Sequence, residues 1–140
     1  RLAGLEAKRS GYDAAILLNR DGSVSEGPGG CLFVMRDGTL ITPPVTAGIL
    51  ESVTRRTLIE LIRDAGIPLE IRDVGRTELY LAEEAFYCGT GQEMVPILSF
   101  DRKPVGKGEP GATTRDLQRL YDAVVRGRNA RYRHWLTPVY

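Results

Sequence analysis

The sequence predicts an α+β (mixed α/β) fold in which a β-sheet is covered by a few helices. Its 140 residues suit one domain with a real core, and 42% hydrophobic and 26% charged residues are ordinary globular values. Short apolar runs separated by Asp-Gly turns fill the first half, as is typical of strands and hairpins. Two amphipathic stretches, residues 51–66 and 113–127, have the spacing of helices.

Glycine, Asp-Gly and proline residues mark the ends of the helices and strands in the first half. RLAGLEAKRSG predicts the C-terminal half of a helix, because a cationic last turn precedes Gly11. DAAILLNR, residues 13–20, predicts a buried strand; Asp21-Gly22 predicts a turn, and SVSE begins the next strand. After a glycine loop, CLFVMRDGTLITPP predicts two strands joined at Asp37-Gly38 and stopped by two prolines.

The second half alternates between helices and strands. ESVTRRTLIELIRDAG, residues 51–66, predicts a helix capped by Ser52 or Thr54 and ended by Gly66. Its predicted apolar face consists of Val53, Leu58, Leu61, Ile62 and Ala65. IPLEIRDV predicts a strand, TELYLAEE a helical turn or two with Thr77 as a possible cap, and AFYCGTGQEMVPILSFD two strands around a glycine loop.

The C-terminal third predicts a loop, a helix and a packed tail. DRKPVGKGEPG is rich in turn residues, and residues 113–127 predict an amphipathic helix capped by Thr113 or Thr114. The tail RYRHWLTPVY is aromatic enough that we expect it to pack on the domain. No repeat, low-complexity linker or internal boundary divides the chain.

Charge and composition argue against several classes of partner. A net charge of +1 speaks against bulk nucleic acid or an anionic membrane, and no apolar run approaches a membrane span. His134 is the only histidine, which speaks against a histidine metal site or a Ser-His triad. Cys31 and Cys88 form no disulfide framework, so we expect buried thiols in a reduced, cytoplasmic setting.

Three loops at element ends hold the residues that could carry chemistry. In SVSEGPGGCLF, Glu26 is either part of a solvated turn or a carboxylate that faces a bound group. In LESVTR, the amides of Ser52, Val53 and Thr54 begin an ordinary capped helix or an anion site. Gly89-Thr90-Gly91 is a glycine turn or a second set of free amides beside a hydroxyl.

Taken together, these loops resemble those of the fold-type IV pyridoxal-phosphate enzymes, aminotransferase class IV, and within them the branched-chain amino acid aminotransferases. The resemblance runs from about Glu6 to the C-terminus. It rests on EAKRSGYDAAILL, VSEGPGGCLFVMRDGTLITPP, LESVTRRTLIELIRDAGI, ELYLAEEAFYCGTGQEMVPI and YRHWLTP, which follow the family's order and spacing. It implies a barrel-like sheet with helices outside.

The resemblance also implies roles for the loop residues, with pyridoxal 5'-phosphate as the cofactor. Glu26 would hold the protonated pyridine nitrogen, so that the ring acts as an electron sink, and Leu50 would pack on the ring face. Ser52, Val53 and Thr54 would bind the phosphate at a helix start. Thr90 would also contact the phosphate, and the amides of Thr90 and Gly91 would hold the substrate carboxylate.

This chain departs from the family's pattern at several of these positions. Glu51 and Ser52 stand where many members have Pro-Gly, and Cys31 stands where branched-chain members often have asparagine. Gly91 and Gln92 replace small alanines. These changes bear on the substrate more than on the cofactor.

None of the lysines in this chain matches the position that the resemblance implies for the lysine that forms the cofactor's Schiff base. Lys8 lies C-terminal to the position the family implies, and Lys103 and Lys107 lie in a turn-rich loop. We therefore expect that lysine upstream of Arg1, together with an N-terminal domain. Residues 1–140 would then be the C-terminal, larger domain of the enzyme, with no catalytic residue of its own and inactive alone.

The resemblance implies transamination between branched-chain amino acids and 2-oxoglutarate, in branched-chain amino acid biosynthesis, by a homodimer or higher assembly. Alternatives within the fold are a D-amino acid aminotransferase and an aminodeoxychorismate lyase; GTGQEMVPI and WLTP favour the branched-chain type. A non-catalytic assembly or binding domain is the alternative from a different class. We expect amino acid and 2-oxo acid substrates, and neither metal, nucleic acid nor membrane as a partner.

Overall fold

The secondary structure is ordered around one central sheet. The computed structural model describes residues 1–139. Helices within this range are α1 (Leu2–Arg9), α2 (Val53–Asp64) and α3 (Ala112–Val125), with 3-10 turns at Val45–Ala47, Arg76–Leu81 and Ala130–Trp135. The strands are β1 (Cys31–Arg36), β2 (Thr39–Thr42), β3 (Leu69–Ile71), β4 (Glu84–Gly89), β5 (Glu93–Pro96), β6 (Ser99–Phe100) and β7 (Lys103–Pro104).

The main sheet has five strands in the order β3-β2-β1-β4-β5. All pairs are antiparallel except β2 with β3, which is parallel because α2 carries the chain across between them. The predicted mixed α and β class is confirmed. Among the described residues the sheet is open rather than closed into a barrel, with β3 and β5 as its two edges.

The predicted hairpin between β1 and β2 is confirmed. Arg36 pairs with Thr39, and the two connecting residues, Asp37 and Gly38, have φ angles of 49° and 72°. Two left-handed residues match the right-handed twist of the flanking strands, and Asp-Gly is a preferred pair for such a turn. The register of β1 and β2 is therefore fixed by the local sequence.

The predicted buried strand over residues 13–20 is wrong. Leu17 and Leu18 are exposed, and within this range only Leu18 forms a bridge, with Val24. The N–H of Leu17 donates to the Glu26 carbonyl at 2.8 Å, and that of Ser25 donates to the Leu17 carbonyl. The Asp21-Gly22 turn reverses the chain directly after residues 13–20. This segment therefore pairs irregularly with SVSE outside the sheet instead of forming a core strand.

Alternation along β1 gives the sheet two apolar faces. Phe33 points to the face covered by α2 and α3, where its ring stacks on Phe86 with centroids 5.0 Å apart. Leu32 and Val34 point to the opposite face, which packs against Val24 and residues near it. Each such fully buried side chain contributes about 1.5–3 kcal/mol by removal from water, so the sheet is anchored from both sides.

The predicted N-cap of helix α2 is confirmed, and its predicted apolar face is confirmed in part. Ser52 is the N-cap and accepts from the Arg55 N–H at 3.2 Å, and Gly66 follows the helix with a φ of 70°. Leu58, Leu61 and Ile62 are buried as predicted, but Val53 is 77% exposed and Ala65 is exposed as well. Arg55, which the predicted apolar face did not include, is buried on the same helix.

Helix α3 is capped by a side chain of another element, Glu84 of β4. The predicted caps Thr113 and Thr114 are wrong: the helix starts at Ala112, and both residues instead donate to Glu84 at the start of β4. The Glu84 carboxylate accepts from the Thr113 N–H at 3.1 Å, the Thr114 N–H at 2.7 Å and the Thr114 hydroxyl at 2.7 Å. Thr77 likewise caps nothing, because Gly75 precedes its 3-10 turn and no side chain caps it.

The aromatic tail packs on the domain as predicted. Tyr132 is buried, its hydroxyl donates to Asp64 at 2.8 Å, and its ring lies 4.7 Å from that of Trp135. Tyr140, the last residue of the predicted tail, lies outside the described residues. Across residues 1–139, each helix is too short or too polar to traverse a bilayer.

Candidate functional site

The glycine loop before β1 and the glycine loop after β4 meet at one end of the sheet. Cys31 pairs with Cys88, so the residues that precede β1 lie beside those that follow β4. A Cβ on Gly89 would come 2.7 Å from the Gly29 carbonyl oxygen, and one on Gly30 would come 2.8 Å from that of Cys88. Both positions therefore require glycine, and this requirement explains part of each glycine cluster.

Glu26 is tied to the loop that leads into α2. Its Oε2 accepts a hydrogen bond from the Leu50 N–H at 3.0 Å, and the Cys31 sulfur lies 3.9 Å from the same oxygen. The residue is half-buried, and Oε1 accepts no hydrogen bond from residues 1–139. One carboxylate oxygen is thus held in place while the other is available to a donor on a bound group.

Exposed apolar side chains lie beside this carboxylate. Leu50 is 72% exposed although its own N–H is bonded to Glu26, and Val53 is 77% exposed at the first position of α2. Covering exposed side chains of this size with an apolar surface would contribute roughly 1–2 kcal/mol each. The site therefore combines a fixed negative charge with uncovered apolar surface.

The start of α2 offers free backbone donors. Val53 and Thr54 are its first two residues, and their N–H groups have no acceptor within the helix. The helix dipole places partial positive charge at this end, which favours an anion. Thr54 is only 3% exposed, so a ligand could reach its hydroxyl only by packing directly against the start of α2.

A buried cation lies behind this helix start. Arg55 is 6% exposed; its Nε donates to the Thr42 hydroxyl at 3.1 Å and its Nη2 to the Pro43 carbonyl at 2.8 Å. It forms no salt bridge with a carboxylate of residues 1–139. A buried charge without a counter-ion is costly, and an anion at the helix start would compensate it.

Sequence reasoning missed Arg55, although a signal was present. The residue precedes Leu58, Ile59 and Ile62 by three, four and seven positions, the spacing of one helix face. An arginine on the buried stripe of a helix needs a polar partner. That pattern was sufficient to mark it as a candidate.

The structure places Thr90 and Gly91 near the Glu26 loop without a direct contact to it. Both are exposed in the turn that joins β4 to β5, where the Gln92 N–H donates to the Gly89 carbonyl at 3.2 Å. Gln92 reaches the glycine loop, since its amide would lie 3.5 Å from a Cβ on Gly30. The third loop thus meets the first through glycines and Gln92.

A cavity of about 330 Å³ opens on one side of the glycine loop. Its walls include Leu5 and Lys8 of α1, the loop residues Gly27 to Gly30, and Tyr87. The start of α2 is not part of these walls. Tyr87 lines the cavity and donates its hydroxyl hydrogen to the Ala15 carbonyl at 2.8 Å.

Both cysteines are free and buried, as predicted. The Cys31 thiol donates to the Leu50 carbonyl at 3.5 Å. The adjacent Cys88 thiol lowers the pKa of Cys31. The same interaction, followed by burial, raises the pKa of Cys88, because a second thiolate beside the first is unfavourable.

Other polar side chains near these elements have structural roles. Glu83 accepts from the N–H groups of Asp37 and Gly38, whereas the neighbouring Glu84 accepts from the start of α3. His134 stacks edgewise on Trp135. Residues 1–139 contain no group of three or more side chains suited to a metal ion.

An open mixed sheet thus brings a fixed carboxylate and the start of a helix together at one end. The model of the amino-transferase class IV family matches residues 1–100, and the chain belongs to this family.

Individual relatives point to a narrower group. The chain is 45% identical to a probable branched-chain-amino-acid aminotransferase of Aquifex aeolicus and 38% identical to the branched-chain-amino-acid aminotransferase of Escherichia coli K12, with 99% of this chain and 45% of each relative covered. It therefore spans about half the length of the curated relatives it matches.

Solved structures give the same result. The branched-chain amino acid aminotransferase of Thermobaculum terrenum in its PLP form superposes with a TM-score of 0.97 at 54% identity, over 99% of this chain and 46% of that one. The branched-chain aminotransferase of Thermoproteus uzoniensis with norvaline superposes with a TM-score of 0.94 at 44% identity, over 99% of this chain and 46% of that one.

Proposed function

We propose that this chain is the cofactor-binding part of a branched-chain-type aminotransferase that uses pyridoxal 5'-phosphate. The observation that carries the proposal is the juxtaposition of the Glu26 carboxylate with the loop that leads into the N-terminus of α2, joined by the Leu50 N–H. One end of this arrangement suits a protonated ring nitrogen and the other a phosphate. The similarity to branched-chain aminotransferases supports the same assignment.

The residues present fit this cofactor on three grounds. Glu26 has one fixed and one available carboxylate oxygen, Leu50 offers an uncovered apolar side chain, and Arg55 is a buried cation without a counter-ion among residues 1–139. A planar, partly apolar ring that carries a dianionic phosphate would meet each of these needs. Pyridoxal phosphate, when bound, supplies an electron-deficient ring that stabilises negative charge on the substrate α-carbon.

The chain's own residues would bind and orient this group. Glu26 would hold the proton on the ring nitrogen, while Leu50 would exclude water from one ring face. Ser52, Val53 and Thr54 would donate to the phosphate, with Arg55 compensating its charge from behind. Thr90 and Gly91, exposed at the neighbouring turn, would donate to the phosphate and to the substrate carboxylate, as the resemblance implies.

The lysine required for amino-group transfer would come from another part of the enzyme, together with an N-terminal domain. The substrates would be branched-chain amino acids and 2-oxo acids. An assembly of two or more copies in the cytoplasm completes the proposal. The free thiols support the cytoplasmic location. The exposure of α1 supports a covering partner, since none of its eight residues is buried and Leu2 is 83% exposed.

Activity assays of the intact enzyme test this function. We expect binding of pyridoxal phosphate with a visible absorbance band, and transfer of the amino group of leucine, isoleucine or valine to 2-oxoglutarate. D-alanine with 2-oxoglutarate is the matched control and should react far more slowly. Cofactor binding without any L-amino acid turnover would refute the substrate assignment, and failure to bind pyridoxal phosphate would refute the whole proposal.

A further inference from the structure

Two thiols lie opposite each other at the floor of the candidate site. Cys31 at the start of β1 and Cys88 near the end of β4 are directly paired across antiparallel strands. Directly opposed residues in such a pair have Cα atoms about 4.5–5.5 Å apart and side chains on the same face. Both belong to the apolar cluster beneath α2 and α3, and neither is bonded to another cysteine.

This geometry permits a covalent bond between the two sulfurs. Disulfides have Cα separations of about 4.4–6.8 Å, and the separation of a directly opposed antiparallel pair falls within that range. Because β1 and β4 are central strands, no chain segment has to move far for the bond to form. Such a bond can be reduced again by exchange with an external thiol.

The two cysteines differ in their contacts with residues of the candidate site. Both side chains are buried, with 2% and 0% of their surface exposed. Cys31 is the one in contact with the loops of the candidate site, because it donates to the Leu50 carbonyl at 3.5 Å and lies 3.9 Å from Glu26 Oε2. The adjacent Cys88 thiol and the charge of Arg55 favour the Cys31 thiolate, while burial and Glu26 oppose it. A peroxide that enters from the site would meet Cys31 first, and Cys88 is the resolving partner.

We propose that Cys31 and Cys88 form a reversible intramolecular disulfide when the protein meets a hydroperoxide, and that this bond loosens the hold on Glu26. The Cys31 thiolate attacks the peroxide oxygen and becomes a sulfenic acid, while the O–O bond breaks and the released oxygen takes a proton to leave as water or an alcohol. Cys88 then attacks that sulfur and releases water. Two thiols are oxidised as one peroxide is reduced.

The effect on Glu26 rests on the proposed function, whereas the chemistry of the thiols does not. Once bonded to Cys88, the Cys31 sulfur no longer carries a hydrogen, so the Leu50 carbonyl loses its donor. The Leu50 N–H that holds Glu26 belongs to the same residue, so a shift of Leu50 moves the carboxylate. The oxidised protein should bind pyridoxal phosphate several-fold more weakly than the reduced protein.

Mapping of disulfides in the intact protein tests the proposal. The folded protein is treated with hydrogen peroxide, remaining thiols are alkylated, and the digest is analysed by mass spectrometry. We expect a peptide pair joined through Cys31 and Cys88, which disappears after treatment with dithiothreitol. Unmodified cysteines under conditions that oxidise a cysteine-containing model peptide, or only sulfinic and sulfonic products, would overturn the proposal.

Single substitutions separate the chemistry from its consequence. With Cys88→Ala, Cys31 should accumulate as sulfenic acid, trapped by dimedone, and oxidation should not be reversed through a cross-link. With Cys31→Ala, Cys88 should stay a thiol over the same exposure. If either variant fails to fold, the cross-link in the wild-type protein still decides. A mapped disulfide without any change in cofactor affinity would overturn the link to Glu26, while no cofactor binding by the reduced protein counts against the proposed function alone.

Discussion

The Leu50 N–H donates to Glu26 Oε2 at 3.0 Å, which joins the loop before β1 to the loop before α2. A carboxylate fixed by a backbone donor keeps its position before any ligand arrives, and the free Oε1 then has a defined direction. Such preorganisation matters because a charged group that must first be oriented contributes less to binding and catalysis. The relationship therefore makes the charge of Glu26 the first property to test.

Glu26→Gln should lower the kcat of the intact enzyme by on the order of 100-fold, the usual effect of removing one preorganised electrostatic group. The glutamine oxygen can still accept from Leu50, so the fold and much of the cofactor affinity should remain. Steady-state kinetics and the cofactor's absorbance spectrum measure both. Glu83→Gln is the matched control, because Glu83 is an exposed carboxylate that accepts N–H groups at the β1–β2 turn. Equal activity of the wild type and Glu26→Gln would refute the role.

Ser52→Ala should reduce the free energy of unfolding by about 1 kcal/mol, because it removes the acceptor of the Arg55 N–H at the start of α2. Urea unfolding followed by far-ultraviolet circular dichroism measures the change. Ser52→Asn is the control, since asparagine caps helices as well as serine and should stay near wild type. A loss in both variants alike would mean that the serine acts through something other than the cap.

Gly111→Ala should destabilise the protein by about 1–3 kcal/mol, as should Glu84→Ala, because both disrupt the carboxylate cap of α3. A Cβ at residue 111 would overlap the Glu84 carboxyl group, and Glu84 cannot move without breaking its bonds to Thr113 and Thr114. Thermal unfolding measures the effect, and Glu109→Gln on the exposed loop is the control. The double variant should lose little more than either single variant, and full additivity would contradict the shared mechanism.

Stability should fall in acid partly through Glu78. Hydrogen bonds from Arg72, reinforced by Arg36, lower the pKa of Glu78 below its ordinary value of 4.5. The folded state therefore releases this proton more readily than the unfolded state, and the stabilisation is complete above the ordinary pKa and lost as pH falls through the folded pKa. Glu78→Gln should flatten the dependence of unfolding free energy on pH below about pH 5, measured by urea titrations. An unchanged slope in Glu78→Gln would contradict this role of Glu78.

Local signals predicted most of the fold, and non-local contacts account for the errors. Asp37-Gly38 determined a hairpin by itself, and Gly66 marked the end of α2 within two residues. The cap of α3 was misassigned because Glu84 lies far from it in sequence. The run at residues 13–20 has strand composition, but its pairing depended on where the chain turned next.

The candidate site was predictable as residue types and loops but not as contacts. Glu26 and the start of α2 were selected from sequence, whereas their link through the Leu50 N–H required the fold. The Cys31–Cys88 pairing depended on the register of β1 with β4, which no spacing in the sequence reveals. Arg55 carried a visible signal, since it lies on the buried stripe of α2, but its lack of a counter-ion could be seen only in three dimensions.

Arg55→Met should weaken the affinity of the intact enzyme for pyridoxal phosphate about tenfold, which corresponds to about 1.4 kcal/mol. The guanidinium is buried without a carboxylate partner behind the α2 start, so an anion bound there gains its attraction in a medium of low dielectric constant. Methionine fills a similar volume without charge, and removing a buried charge that has no counter-ion relieves an unfavourable term. The buried Thr42 hydroxyl and Pro43 carbonyl also lose their donor, which opposes that gain, so the stability of the apo protein should change less than its affinity for the cofactor.

Comparing the change in cofactor affinity with the change in apo stability distinguishes an electrostatic role from a structural one. Arg55→Lys retains the charge but not the fork that reaches both Thr42 and Pro43, and it should keep most of the affinity at some cost in stability. Fluorescence titration with the cofactor and thermal unfolding of the apo protein measure the two properties separately. If Arg55→Met lost stability in the apo protein and bound the cofactor normally, the arginine would be a structural residue and the anion at the start of α2 would need another counter-charge.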